Sequence, residues 1–375
     1  MIINNAKVYR NGHFESASIE FDSHIRSFSP GEGMDACGAY IIPGLIDVHT
    51  HGAMGIDASD CTAEQIHHLA QFYSDNGVTS FCFTTLTVPA DELRGAMKNI
   101  RAYERFGGEA KCAGVHLEGP FVSRGKCGAQ NPDNILKPDI ALFNELNELS
   151  GGMVRLITVA PEVEGAPDFI REASKVCTVS LGHSTADYDQ AMAGFEAGAT
   201  HVTHLFNGME PFHHRKPGLV GAALTAGANV ELICDGVHIH PAMILAVHKM
   251  FGDRLIIVSD SLRCAGLCDG RYNLGGLPMI VRDGRATLLD GTIAGSSSNL
   301  LQELRNVVSY GVPLEAAVKA ATETPAKDIG VFDSIGSLEV SKCADFLVLN
   351  KDLKLMATFI DGKLVNGTTD FESVK

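Results

Sequence analysis

The chain has 375 residues, 45% hydrophobic and 20% charged, which is an ordinary globular balance. That length accommodates a barrel of about 250 residues with something smaller beside it. A formal net charge of −15 argues against a general nucleic-acid or membrane-surface binder, because both of those partners are themselves anionic.

The opening MIINNAKVYRNG has no apolar h-region, and no uninterrupted apolar run approaches the roughly 20 residues of a spanning helix. Ten cysteines are scattered without CxxC pairs, several of them (Cys82, Cys177, Cys234) in apolar runs. This usage predicts free thiols in a reducing cytoplasm. Cys264 and Cys268 read as loop packing.

Short β-branched or apolar runs recur along the chain: IIPGLIDVHTH (41–51), VTSFCFTT (78–85), CAGVHLEGPF (112–121) and VRLITVAPE (154–162). They continue at CTVSLGHS (177–184), THVTHLFN (200–207), NVELICDGVHI (229–239) and LIIVSDS (255–261). Helix-compatible stretches lie between them, at 61–77, 186–198 and 241–252, with a last one at 296–311 after the eighth run. Thr62 ahead of Gln65 is a helix-start signal, and Thr185 reads as an N-cap. Eight strands alternating with helices predict an α/β fold, a closed (β/α)8 TIM-like barrel in preference to an open doubly wound sheet.

The two ends read differently. Residues 1–43 and 336–375 carry short antiparallel strand patterns, with a turn at Asp361-Gly362, and neither end makes a core alone. One small β-sandwich domain built from both termini, beside a barrel over 44–335, is the economical arrangement. A hairpin-like insertion at 277–292 falls between strand eight and its helix.

In such a barrel the catalytic groups stand at the C-terminal ends of the strands, where the loops form one mouth. His and acidic residues collect there. Strand one closes with His49 and His51, strand three with His116 and Glu118, strand five with His183 and strand six with His204. Strand seven closes with Asp235 and His238, and strand eight with Asp260. Residues i and i+2 on a strand share a face, so His49 and His51 can reach one metal. An HxH pair alone has an ordinary structural reading; the whole set points to a divalent ion such as Zn²⁺, Fe²⁺ or Mn²⁺. His67, His68, His248, His13 and His24 read as surface or packing residues. His201 starts strand six, at the end away from the mouth. His116 is open to two readings, as support for a ligand or as a buried hydrogen-bonded side chain.

The motifs PGLIDVHTHG, HLEGPF, GHS, THLFNGM, HHRKPGLVG, DGVHI, VSD and GSS occur in that order. In this the chain resembles the N-acetylglucosamine-6-phosphate deacetylases of the amidohydrolase superfamily, from about residue 40 to residue 350. HLEGPF together with HHRKPG carries most of the specificity. The resemblance implies Glu118, His183 and His204 as principal metal ligands and Asp260 as the catalytic acid/base. It implies His49 and His51 as ligands of a second ion, giving one or two ions per subunit with Glu118 bridging. For the substrate it implies His238, Arg215 as phosphate anchor, Asn207-Gly208, and the segment Ile293, Ala294 and Gly295.

Gln130 stands where many members have a histidine that helps hold the amide oxygen; its amide can donate a hydrogen bond but carries no charge. Gly208 and Glu210 also differ from the commonest residues. A phosphorylated amino sugar as substrate and a homodimeric enzyme follow from the same resemblance. Three alternatives stay open: a deacetylase of the galacto epimer, a hydrolase of cyclic amides, and an inactive sugar-phosphate sensor. Cyclic-amide hydrolases usually bridge two metals with a modified lysine on strand four, which here has none. A sensor is expected to have lost a ligand or Asp260, and both are kept.

Overall fold

The computed structural model describes residues 1–371. Eight parallel strands form the centre: Leu45–Thr50, Val78–Thr85, Lys111–Glu118, Val154–Val159, Thr178–Leu181, His201–Val202, Asn229–Ile233 and Leu255–Val258. They pair in sequence order, and strand eight meets strand one through Asp260 N donating to His49 O (2.9 Å) and His51 N to Ser261 O (2.8 Å). The sheet is thereby a closed barrel, as the alternation predicted. Each strand is followed by a helix, from Ala63–Asp75 after strand one to Leu300–Ser309 after strand eight.

Local signals explain many of the boundaries. Thr62 and Gln65 form a reciprocal capping box, satisfying two amides that would otherwise lack partners. The helix Tyr188–Glu196 is capped by Asp187, with Gln190 completing a second box. Thr185 is therefore not the N-cap; its hydroxyl and amide both donate to Glu162, and the helix begins two residues later than the sequence suggested.

The inward-facing Ile46, Val48, Cys82, Ile233, Ile256 and Val258 pack against Ala326 and Ile329. Those two residues lie in and just after Glu323–Asp328, one of two helices beyond Leu300–Ser309 that periodicity did not single out. That apolar packing closes the N-terminal end of the barrel, so the working cavity lies at the other end.

Both termini join one sheet in the order Lys363–Gly367, Leu355–Ile360, Phe346–Leu349, Tyr40–Pro43, Ile2–Arg10, His13–Phe21, Ile25–Ser27. The sheet folds over on itself: Phe21 packs against Phe346 and Phe359 at ring distances of 4.9 and 5.5 Å, although two and three strands respectively separate them in the pairing order. Lys111 at the start of strand three bridges Asp345 (2.7 Å) and Asp361 (2.6 Å), pinning this sheet to the barrel. The insertion after strand eight has three strands, not the two of a hairpin: Gly270–Leu274, Leu277–Arg282 and Arg285–Leu288. The extra strand carries Leu274 into the wall of the barrel mouth.

Candidate metal centre

Glu118, the last residue of strand three, lies at the middle of the mouth. Its Oε1 is 2.9 Å from His183 Nε2 and 2.9 Å from His204 Nε2, while Oε2 is 3.2 Å from His51 Nε2. Asp260 Oδ1 stands 3.2 Å from His51 Nε2 and 3.5 Å from His49 Nε2. His49, His51 and Asp260 form one group able to hold an ion, and Glu118, His183 and His204 another. All six are buried.

The orientation of the rings matters more than their proximity. His49 Nδ1 contacts Glu231 Oε2 (2.8 Å), His51 Nδ1 contacts Thr84 O (3.0 Å), and His183 Nδ1 contacts Lys126 O (3.0 Å). Each of these acceptors can take an Nδ1 proton, so that a ring without a proton on Nε2 turns that lone pair to the centre. Converging lone pairs beside two carboxylates suit a divalent cation with nitrogen and oxygen ligands.

The electrostatics agree. Burial works against charge on Glu118, yet the His183 and His49 imidazoles hold its carboxyl well below the ordinary range. Burial also opposes charge on His49, but Glu231, Asp260 and Glu118 push it up to about 9. These carboxylates require positive charge among them. Asp260 is drawn below its usual value against the effect of burial, by His49 and His51.

The backbone turns sharply where three of these side chains leave the strands. His183 (φ 46°), His204 (φ 26°) and Asp260 (φ 45°) have positive φ, a conformation side-chain-bearing residues seldom adopt. Such strain persists where surrounding structure over-determines it, and it collects at functional sites. Two glycines permit close approach. A Cβ on Gly208 (φ +60°) would lie 2.8 Å from His183 Nδ1, and one on Gly295 would lie 2.5 Å from Asp260 O.

A cavity of about 190 Å³ opens over this cluster. It brings together most of the residues singled out from the sequence: Gln130, Asn207, Gly208, His238, Ile293, Ala294 and Gly295 line it along with five of the six cluster residues, while His49 lies beneath. Leu86, Leu262 and Leu274 supply apolar wall. Gln130 donates from Nε2 to Glu118 Oε2 and accepts from Thr87 N (2.6 Å), which fixes its amide plane. His238 is held between Asp235 Oδ2 (2.7 Å) and Ala294 O (2.7 Å).

Arg215 is the exception. It is exposed on the loop after strand six, its guanidinium hydrogen-bonded to His214 Nε2 (2.8 Å), and it is not among the cavity-lining residues. His116 resolves as a buried side chain against the His49 ring (4.6 Å), with Nδ1 on Val48 O and Nε2 on Thr158 Oγ1. Burial and the neighbouring His49 lower its pKa to about 3, so it is neutral.

Among the buried acids that the sequence did not single out are Asp47, Glu231 and Glu303. The available signal was a lone carboxylate inside an apolar run, as in NVELI and LIDV, where a charge has no reason to sit unless something pairs with it.

A parallel barrel whose strand ends deliver imidazoles and carboxylates to one point defines a metal-dependent hydrolase of the amidohydrolase class. A family model described as Amidohydrolase family matches residues 40–365, and the chain belongs to that family. Deacetylases of this family use a divalent metal. Among curated relatives, the chain is 36% identical over 330 residues to the N-acetylglucosamine-6-phosphate deacetylase of Vibrio furnissii, covering 87% of this chain and 82% of the relative. It is equally 36% identical over 330 residues to the N-acetylgalactosamine-6-phosphate deacetylase of Escherichia coli O157:H7, covering 87% and 88%. Among solved structures, a mutant N-acetyl-D-glucosamine-6-phosphate deacetylase from Mycobacterium smegmatis in complex with N-acetyl-D-glucosamine-6-phosphate superposes with a TM-score of 0.92. It is 30% identical, with 98% of this chain and 99% of that one covered.

Proposed function

We propose that this protein removes the acetyl group from N-acetyl-D-glucosamine 6-phosphate, releasing acetate and D-glucosamine 6-phosphate, as a cytoplasmic homodimer in amino-sugar catabolism. The observation that carries the reading is the placing of Asp260, a buried carboxylate, beside the convergent Nε2 atoms at the floor of the cavity.

Glu118, His183 and His204 would hold one divalent cation, and His49 and His51 a second beside Glu118. When bound, such a cation acts as a Lewis acid and brings the pKa of water down to about 7. The remaining work falls to the chain. Asp260 takes the proton of the attacking water and returns it to the departing sugar amine, help typically worth about 10²–10⁴ in rate. The spare N–H of Gln130, whose amide plane is already fixed, donates to the acetyl oxygen. His238, its Nε2 exchanging Ala294 O for a sugar hydroxyl, and the Ile293–Gly295 segment bind the sugar across the cavity from Asn207 and Gly208. The apolar wall of Leu86, Leu262 and Leu274 excludes water from the acetyl methyl.

Phosphate recognition rests on Arg215, whose planar guanidinium suits phosphate oxygens. Its exposed position supports the dimer, in which the loop 211–216 of one subunit completes the phosphate site of the other. The ten free cysteines fit a reducing compartment, and no helix among the described residues is long and apolar enough to cross a membrane.

The equal identity to a galactosamine-type relative favours one second reading, the galacto epimer as substrate. Acetate release from the two epimeric amino-sugar phosphates and their unphosphorylated forms, on protein of known metal content, decides between them. Turnover of neither acetamido sugar phosphate overturns the proposal.

A further inference from the structure

Glu231 is fully buried on strand seven, its neighbours Val230 and Leu232 are buried as well, and the deacetylation chemistry above makes no use of it. An ionised carboxylate there costs several kcal/mol of desolvation unless its surroundings compensate. They do so from three directions. Oε2 contacts His49 Nδ1 at 2.8 Å and accepts from the backbone N of His204 at 3.1 Å. Oε1 is ion-paired with His201 Nε2 at 3.1 Å. His201, at the opposite end of the barrel from the mouth, is in turn paired through Nδ1 with Asp328 Oδ2 at 2.7 Å. Asp328 is itself tied by Asn229 Nδ2 (2.7 Å on Oδ1) and by Thr178 Oγ1 (2.6 Å on its carbonyl).

One carboxylate oxygen therefore touches both groups of ligands, the side chain of His49 and the main chain of His204. The other oxygen, Oε1, begins an ion-paired path through His201 and Asp328 to the helix that closes the barrel floor.

We infer that Glu231 is a positioning residue for the metal centre, setting the tautomer and ring orientation of His49, and that the His201–Asp328 pair holds Glu231 in place. The inference rests on the two-ion reading of the site. A ligating imidazole whose outer nitrogen is held by a carboxylate is a stronger and better-aimed ligand, and removing such a partner typically lowers metal affinity about 10–100-fold. His204 should suffer less, because a neutral amide oxygen at position 231 can still accept from its backbone N–H.

The test is Zn²⁺ titration of the metal-free protein against a chromophoric chelator, comparing wild type, His49→Gln, Glu231→Gln and Asp328→Asn. Thermal melting of each metal-free form separates lost affinity from lost folding. The expected pattern is two ions in wild type and one in His49→Gln. Glu231→Gln should hold the first ion normally and bind the second about 10–100-fold more weakly. Asp328→Asn, which loosens only the anchor, should weaken the second ion by a smaller factor, and it reports on the same network if the glutamine variant fails to fold.

A Glu231→Gln protein that folds and binds both ions like wild type, while His49→Gln loses one, overturns the positioning role and leaves the two-ion reading intact. Equal weakening of both ions overturns it too, since that is general disruption. A wild type with a single ion, unchanged in His49→Gln, overturns the two-ion reading and this inference together.

Discussion

In the metal half of the mouth, His49, His51 and His183 each have Nδ1 on a fixed acceptor and all are buried, whereas on the rim loop over residues 211–216 every side chain is exposed and Arg215 is hydrogen-bonded to its neighbour His214. In the metal half the rings are held by the chain's own groups. Groups held at developing charge need no rearrangement during reaction, which makes electrostatic help effective. The rim loop, the proposed phosphate half, has no such scaffold. On the proposed reading that loop supplies attraction and orientation to the phosphate, and remote binding energy of that kind can be spent on aligning the acetyl carbon.

The largest effect should come from Asp260→Asn. Loss of the proton acceptor predicts a fall in kcat of about 10²–10⁴, with metal content preserved as measured by elemental analysis. Near-normal turnover would remove Asp260 from the chemistry.

Arg215→Ala should act on the other half alone. Losing a charge-assisted contact worth about 1.5–3 kcal/mol predicts a drop of about 10- to 100-fold in kcat/KM for the phosphorylated sugar. The unphosphorylated sugar should be little affected, and metal content and melting temperature unchanged. Equal losses for both sugars would mean the loop does something other than bind phosphate.

The combined variant His49→Gln, His51→Asn probes the ligand half directly. Metal counting should fall from two ions to one, leaving the ion held by Glu118, His183 and His204.

The smallest change is Gly208→Ala. Its Cβ would sit 2.8 Å from His183 Nδ1 on a backbone at φ +60°, a combination expected to cost about 1–3 kcal/mol. Denaturant unfolding of the metal-free protein measures it. No loss of stability would show that His183 can move aside, and the contrast between a rigid and a mobile half would weaken accordingly.

Most of the ligand half was legible in the sequence, for a simple physical reason. Strands of a parallel barrel all present their C-terminal ends to one mouth, so His49, His51, Glu118, His183, His204 and Asp260 had only to be found at strand ends. The two-residue spacing of His49 and His51 follows from side-chain alternation in a strand. The helix start at Asp187 was harder to read, because Thr185 is an equally good capping residue until Glu162 is seen to occupy its hydroxyl and amide. The third strand of the insertion was missed because Gly270–Leu274 is mostly exposed and shows no apolar alternation.

By itself the sequence determined the eightfold alternation, the joining of the two ends into one sheet, and which imidazoles and carboxylates stand at the strand ends. These depend on local periodicity and on residue chemistry, which any reader of the chain can see. Only the tertiary structure decided which nitrogen of each imidazole faces the centre and that His116 is neutral packing beneath His49. It alone revealed that Glu231 connects His49 and His204 to His201 and the barrel floor, and that Arg215 does not line the cavity. Each of those outcomes depends on contacts between residues tens to hundreds of positions apart, such as His49 with Glu231 across 182 positions, and no local pattern encodes which partner a buried polar group will meet.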